Sequence, residues 1–104
     1  MPSKNDTDQA ILQTLANIPF GKVSTYGTIA KLSGNHGKAR YVGYILRNLP
    51  KESSIPWHRV VNSQGKLSFP ANSEHYLRQE NRLKKESILI INGKINLKQH
   101  LWLG

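Results

Sequence analysis

Residues 25–49 constrain the fold most. Two stretches of helical apolar spacing lie there, separated only by Gly34-Asn35-His36-Gly37. Thr25 carries the side-chain oxygen that suits a helix N-cap. The helix expected after it, Tyr26 to Ser33, would bury Ile29, Ala30 and Leu32, and Gly34 supplies the left-handed stop. A following helix is expected from about Lys38 to Asn48, with Ala39, Val42, Leu46 and Leu49 as its core stripe. Arg40, Tyr44, Arg47 and Lys51 recur on a separate face of the same helix. Two amphipathic helices on so short a connection predict a helix-turn-helix.

The rest of the chain fits around that pair. Asp6 followed by Gln9 reads as a capping-box start to an amino-terminal helix with Ile11, Leu15 and Ile18 on its apolar face. Pro19 and Gly21 end it. Val60-Val61, a turn over Asn62-Ser63-Gln64-Gly65, and Lys66-Leu67 read as a short hairpin that would serve as a wing. Asn72 or Ser73 caps a helix running through Glu86. Ile88 to Ile91, Asn92-Gly93, then Lys94 to Leu97 form a second hairpin, Asn-Gly being the favoured pair for a type I′ turn. The expected architecture is mainly α with small β hairpins, one domain over residues 1–104. At 38% apolar residues the chain can fill one core but not two.

Fifteen Lys and Arg against six Asp and Glu give a net charge of +9. The excess is concentrated in the middle: +1 over residues 1–36, +5 over 37–66 and +3 over 67–104. Such a surface suits a polyanion. No basic helix with a large apolar face appears, so nucleic acid is expected and a membrane surface is not. The chain has no cysteine, which excludes disulfides, thiolate metal sites and a cysteine nucleophile. Met1 to Asp6 lacks the apolar run of a secretory signal, and the longest apolar run, Ile88 to Ile91, is too short to span a membrane. A soluble cytoplasmic protein is expected, nucleoid-associated if bacterial.

Enzyme signatures are missing as well. The four Gly-Lys pairs lack the flanking residues of a phosphate-binding loop. His36, His58, His75 and His100 include no pair at metal-binding helical spacing, and no pair of carboxylates flanks an apolar stretch. Neither cofactor nor metal is expected. A hydrolase built on His58 and Glu86 would lack a nucleophile.

Ile55-Pro56-Trp57-His58-Arg59-Val60-Val61 is the unusual segment, with an aromatic ring, an imidazole and a guanidinium in a row behind Pro56. Three blocks occur in order: Ile18-Pro19-Phe20-Gly21-Lys22-Val23-Ser24-Thr25-Tyr26-Gly27, Lys38-Ala39-Arg40-Tyr41-Val42-Gly43, and the segment just named. Together they resemble the DNA-binding domain of the alkylguanine-DNA alkyltransferases, over roughly residues 8–102. In that family the third block reads Pro-Cys-His-Arg and its Cys accepts the alkyl group. Trp57 stands at that position here, as in the alkyltransferase-like members that bind alkylated DNA without repairing it.

The resemblance implies a winged helix-turn-helix that enters the minor groove, with Ala39 and Gly43 small enough to let its backbone approach. It assigns Arg40 as the finger that fills the gap left by a flipped base and Tyr26 as the residue that presses on the neighbouring phosphate. Tyr44, Arg47 and Lys51 join them as DNA contacts. Tyr26, Pro56, Trp57, His58, Arg59 and Phe69 are the expected lesion pocket. Asn48 is expected to brace the turn at Trp57, although Leu49 replaces the family's usual proline after it. His58 and Glu86 match the relay that activates the family's cysteine, so a structural role is expected of them here. The loop Ser68-Phe69-Pro70-Ala71-Asn72-Ser73 departs from the family's Gly-rich pattern. Implied partners are double-stranded DNA containing O6-alkylguanine and the proteins of nucleotide excision repair, for a monomer with no membrane contact. The competing reading is a sequence-reading winged-helix transcription regulator.

Overall fold

The computed structural model describes residues 4–104. The first three residues of the stretch read for a secretory signal therefore lie outside the described residues. Helix α1 spans Lys4–Ala16, so Asp6 lies inside its first turn instead of capping it. A carboxylate there still complements the helix dipole. Strand β1 is Ser24–Thr25, and α2 is Tyr26–Leu32, with the Thr25 hydroxyl accepting from the Thr28 N–H at 3.1 Å. Gly34 stops α2 at φ +80: its N–H donates to the Lys31 carbonyl and that of Asn35 to Ala30. Both bonds of a Schellman cap are present.

Helix α3 is Ala39–Arg47, close to the expected bounds, but its buried stripe differs. Val42, Gly43 and Ile45 face inward, while Ala39, Leu46 and Leu49 are only half-buried. Leu32, expected in the core, is 40% exposed. Short helices crossing at an angle touch over about two turns, so apolar residues toward their ends are covered incompletely.

The wing is built differently from the expectation. Val60–Val61 is a strand, β2, but it pairs in parallel with β1, Ser24 opposite Val60 and Thr25 opposite Val61. Both valines are fully buried, the condition of a parallel strand covered on both faces. The turn at Asn62–Gly65 does form, its Asn62 carboxamide oxygen accepting from the Gln64 and Lys66 N–H groups. The residues after it join the second hairpin instead, β3 (Ile90–Ile91) and antiparallel β4 (Lys94–Ile95). Leu67 N–H donates to Gly93, and Ile95 N–H donates to Gly65. Only glycine fits at 65, where a Cβ would lie 2.5 Å from the Ile95 carbonyl oxygen. Asn92 and Gly93 both have positive φ, as the type I′ turn requires.

Helix α4 runs Glu74–Lys85, capped by the Ser73 hydroxyl. The stretch expected to end the last strand turns at Leu97 into a short helix, α5 (Leu97–His100). The chain after it lies beside β1: Trp102 N–H donates to the Val23 carbonyl at 2.7 Å, and the Ser24 hydroxyl to the Trp102 carbonyl at 3.0 Å.

The expected single core is two clusters. Ile11, Leu15, Ile18, Ile29, Ala30, Val42, Ile45 and Val60 fill the helical half. Val23, Val61, Leu67, Leu83, Ile88 and Ile95 fill the carboxy-terminal half. The β1–β2 ribbon divides them, because successive strand residues point to opposite faces and so send Val60 one way and Val61 the other.

Candidate nucleic-acid interface and base pocket

Residues from both halves meet at one face. α2 begins with Tyr26, whose hydroxyl donates to Ser68 Oγ at 3.0 Å across the seam. Directly beneath is a cavity of about 130 Å³ walled by Tyr26, Gly43, Leu46, Arg47, Trp57, Val60, Ser68, Phe69 and Gln79. The walls are mostly apolar and include three aromatic residues. Outside it lies an open groove of about 410 Å³ that shares Tyr26, Gly43, Arg47 and Ser68 and adds Ala39 and Arg40. The structure thus brings the expected finger and the expected phosphate-pressing tyrosine to the mouth of one pocket. Arg40 and Arg47 are both exposed there. Gly43 is buried against the Tyr26 ring, a Cβ on it standing 3.7 Å from that ring and 3.4 Å from an Arg47 nitrogen. It lines both the pocket and the open groove outside it.

The predicted cationic stripe is divided. α3 ends at Arg47 with Asn48 as its C-cap, so Lys51 is not on the helix and a helical projection misplaces it. Lys51 and Arg47 instead wall a second hollow of about 360 Å³ with Arg78 and Arg82 of α4. Arg82 stands over the Trp57 ring at 5.4 Å, and Phe69 meets that ring edge-on at 6.1 Å while stacking on His75 at 5.2 Å. Trp57 and Phe69 form a partition with a hollow on each side. Tyr44 is half-exposed and stacks on Tyr41, apart from both hollows. Tyr41 in turn donates to Asp8 at 2.5 Å, tying α3 to α1. That hydrogen bond, with burial and the Asp8 charge behind it, pushes the Tyr41 phenol up to about 12.

Pro56, His58 and Arg59 are not in the cavity wall. Trp57–Arg59 is one turn of 3-10 helix with Pro56 before it, and the turn points His58 and Arg59 away from the pocket toward Glu86. Glu86 caps the end of α4 and accepts from His58 Nε2 at 2.6 Å, Arg59 Nε at 3.0 Å and the Gly21 N–H at 2.8 Å. Arg59 reaches on to the Ile18 carbonyl at 2.8 Å. Burial alone would raise the Glu86 carboxyl, but the donors from Arg59, Gly21 and His58 outweigh it and hold it below the usual carboxylate range. Burial lowers His58 in spite of Glu86, which favours a neutral ring with its proton on Nε2. The expected structural role of this pair therefore has a geometry. It locks the Trp57 turn, the Gly21 loop and α4 together across the seam.

Among the described residues, the Asn48 amide donates to the Tyr44 carbonyl within its own helix at 2.8 Å and not to the Trp57 turn. Gln79 does the bracing. Its Nε2 donates to the carbonyls of His58 at 3.1 Å and Val60 at 3.0 Å, from a side chain that is 1% exposed. The sequence held one signal for it. Tyr76, Gln79, Leu83 and Glu86 repeat at spacings of three, four and three, so two polar residues sit on the inward stripe of α4. Ser68, Leu46 and Val60 carried no signal separating them from ordinary loop and core residues.

A basic helix-turn-helix whose second helix overhangs an aromatic-walled pocket defines a DNA-binding domain that can also take a ligand the size of a ring. The chain belongs to the family of the 6-O-methylguanine DNA methyltransferase DNA-binding domain, whose model matches residues 6–88. It is 48% identical over 99 residues to a DNA base-flipping protein of Vibrio parahaemolyticus, covering 91% of this chain and 97% of that one. It is 39% identical over 97 residues to alkyltransferase-like protein 1 of Schizosaccharomyces pombe, covering 88% and 90%. The crystal structure of that S. pombe protein with damaged DNA containing O6-carboxymethylguanine superposes with a TM-score of 0.89 at 36% identity, over 97% of this chain and 98% of that one. The expected helix-turn-helix architecture and family are borne out. With no cysteine, the chain lacks the acceptor of a protein-cysteine methyltransferase and is not an enzyme of that kind.

Proposed function

We propose that this protein binds duplex DNA through the α3 face, extrudes an O6-alkylated guanine into the Trp57 pocket, and holds it there without alkyl transfer. The observation that carries the reading is the position of Trp57. At the family's acceptor position it lines an apolar cavity beside Tyr26, with Arg40 in the groove outside. Indole is a poor nucleophile and a good stacking surface. Each base–aromatic stacking contact is worth about 1–3 kcal/mol, against an extrusion cost of a few kcal/mol that is least for damaged pairs. The V. parahaemolyticus and S. pombe relatives, by their names and by the damaged-DNA complex, support the same reading.

Arg40 fills the vacated stack, Tyr26 presses on the adjoining phosphate, and Arg47 and Lys51 hold the backbone. A cavity of about 130 Å³ is close to the roughly 150 Å³ that accommodates benzene. An alkylated purine is larger, so the Trp57–Phe69 partition swings to join the inner cavity with the hollow behind it. The protein acts as a monomer and presents the immobilised lesion to nucleotide excision repair. A titration at fixed salt tests the reading: a duplex with one O6-methylguanine should bind at least tenfold more tightly than the same unmodified duplex. Equal affinities would overturn it.

A further inference from the structure

The outer face of the β3–β4 hairpin takes no part in the interface described above. Side chains alternate along it: Ile88 is buried and Ile90 half-buried, while Leu89 and Ile91 are 69% and 60% exposed. Ile91 stands opposite Lys94 on β4, and Lys94 opposite Lys66 on the adjoining segment, so these side chains share the outward face. An open groove of about 600 Å³ lies along it, walled by Ser63, Gln64, Ile91, Lys94, Leu97 and Lys98 among others. It shares no wall residue with the base cavity, the groove at α3 or the hollow behind Trp57. Two properties of this face are left without a counterpart. Like charges set directly opposite one another across paired strands repel, and Lys66 and Lys94 are so placed. No carboxylate answers them: residues 53–73 and 87–104 contain no Asp or Glu, and among the described residues no ion pair reaches Lys66, Lys94 or Lys98. Beside these lysines, Leu89 and Ile91 hold adjoining aliphatic surface in water, the mark of a contact site more than of a lone exposed residue.

We infer that this face docks an acidic segment of another protein, one that carries aliphatic side chains among its carboxylates. The aliphatic groups cover Leu89 and Ile91, and the carboxylates relieve the repulsion among Lys66, Lys94 and Lys98. Charge selects this occupant over a second copy of the chain, because two copies at +9 each would bring the same lysines face to face. The aliphatic pair selects it over DNA, because a phosphate backbone would take up the lysines and leave Leu89 and Ile91 wet. A partner held here leaves α3 and the base cavity free, so the protein carries DNA and partner at the same time. The inference goes beyond base capture and does not depend on it.

The probe is a short fluorescent peptide alternating glutamate and leucine, added to protein already saturated with duplex DNA so that the α3 face is occupied. Fluorescence anisotropy should show it binding with the same affinity as to the free protein. A peptide alternating glutamate and serine should bind about tenfold or more weakly, the worth of burying one leucine-sized side chain. Leu89→Ser with Ile91→Ser, both on the surface and checked for folding by circular dichroism, should weaken the glutamate–leucine peptide by a similar factor. Lys66→Gln with Lys94→Gln should weaken it and reduce its sensitivity to salt, and should leave the affinity for duplex and its salt slope unchanged. The absence of peptide binding would overturn the inference, as would binding that duplex abolishes or that the serine variant retains in full. A flatter duplex salt slope in the lysine variant would overturn it and assign the face to DNA. A dimer in sedimentation that Ile91→Ser abolishes would overturn it and assign the face to a second copy. None of these results alters the preference for alkylated over unmodified duplex, so base capture stands or falls separately.

Discussion

Replacing Glu86 with glutamine keeps the shape of the seam and removes its negative charge. The carboxylate meets donors from Gly21, His58 and Arg59, the last through both Nε and a terminal nitrogen at 2.9 Å. A glutamine oxygen can accept from two of these, and its amide group would point donor at donor toward the others. The larger loss is electrostatic. The Arg59 side chain is 17% exposed and Glu86 is its acidic partner, so its guanidinium would stay buried without a counter-ion. Breaking one side of such a pair costs about 3–5 kcal/mol. A domain of this size has about 5–15 kcal/mol in total, so Glu86→Gln should lose about a fifth or more of its stability. Urea denaturation at pH 7 measures this directly. Adding Arg59→Met to Glu86→Gln should recover part of the loss, because it removes the stranded cation. A cost for Glu86→Gln below about 1 kcal/mol, the range of an exposed pair, would refute the reasoning and imply that the cluster is solvated.

Arg40→Ala should reduce affinity for O6-methylguanine DNA much more than for unmodified DNA, by a few kcal/mol at most, whereas Arg47→Ala should weaken both alike; an unchanged ratio for Arg40→Ala would favour the sequence-reading regulator. Unmodified duplex should bind with a log–log salt slope of about −3 to −4, from Lys38, Arg40, Arg47 and Lys51 at −0.9 per phosphate, and a slope near zero would place the interface elsewhere. Stability should fall with acid in two stages. His58 is lowered by folding, so the unfolded chain takes up that proton first below about pH 6.5. Glu86 is also lowered, and its contribution is lost as pH drops below the ordinary glutamate range. His58→Gln should abolish the upper stage in a pH series of urea midpoints and leave the lower one. Gly43→Ala should raise helix stability by up to about 1 kcal/mol and weaken alkylated-DNA binding, since the methyl group points between Tyr26 and Arg47.

The helix-turn-helix was legible in the sequence because its determinants are local: Thr25 and Gly34 set the ends of α2, and Val42 marks the inner face of α3. The Asn92-Gly93 turn is equally local. The β1–β2 pairing was not legible, because it joins two-residue strands separated by α2 and α3, and Val60-Val61 looks the same whether it pairs with a neighbour or across the molecule. The site divides the same way. Arg40, Tyr26 and Trp57 were readable from their blocks; Tyr26 and Trp57 line the inner cavity, and Arg40 lines the groove outside it. Pro56, His58 and Arg59 were placed in it by adjacency to Trp57, but one 3-10 turn rotates successive side chains by about 120° and sends them elsewhere. Gln79 enters the pocket only through the packing of α4 against that turn.

The ribbon of two residue pairs, with the Glu86 cluster beside it, joins the two core clusters and makes this chain two small bodies sharing a waist. Tyr26, Gly43 and Leu46 of the pocket belong to one body, and Phe69 and Gln79 to the other. A guest in the pocket is therefore a rivet across the waist. In its absence the halves should open separately, and amide protons of α1 and α4 should exchange with different free energies of protection. With alkylated DNA bound, those two sets should converge toward a common, higher value, while ordinary duplex, gripping α3 and the lysines that flank it, should protect the helical body and leave α4 as it was.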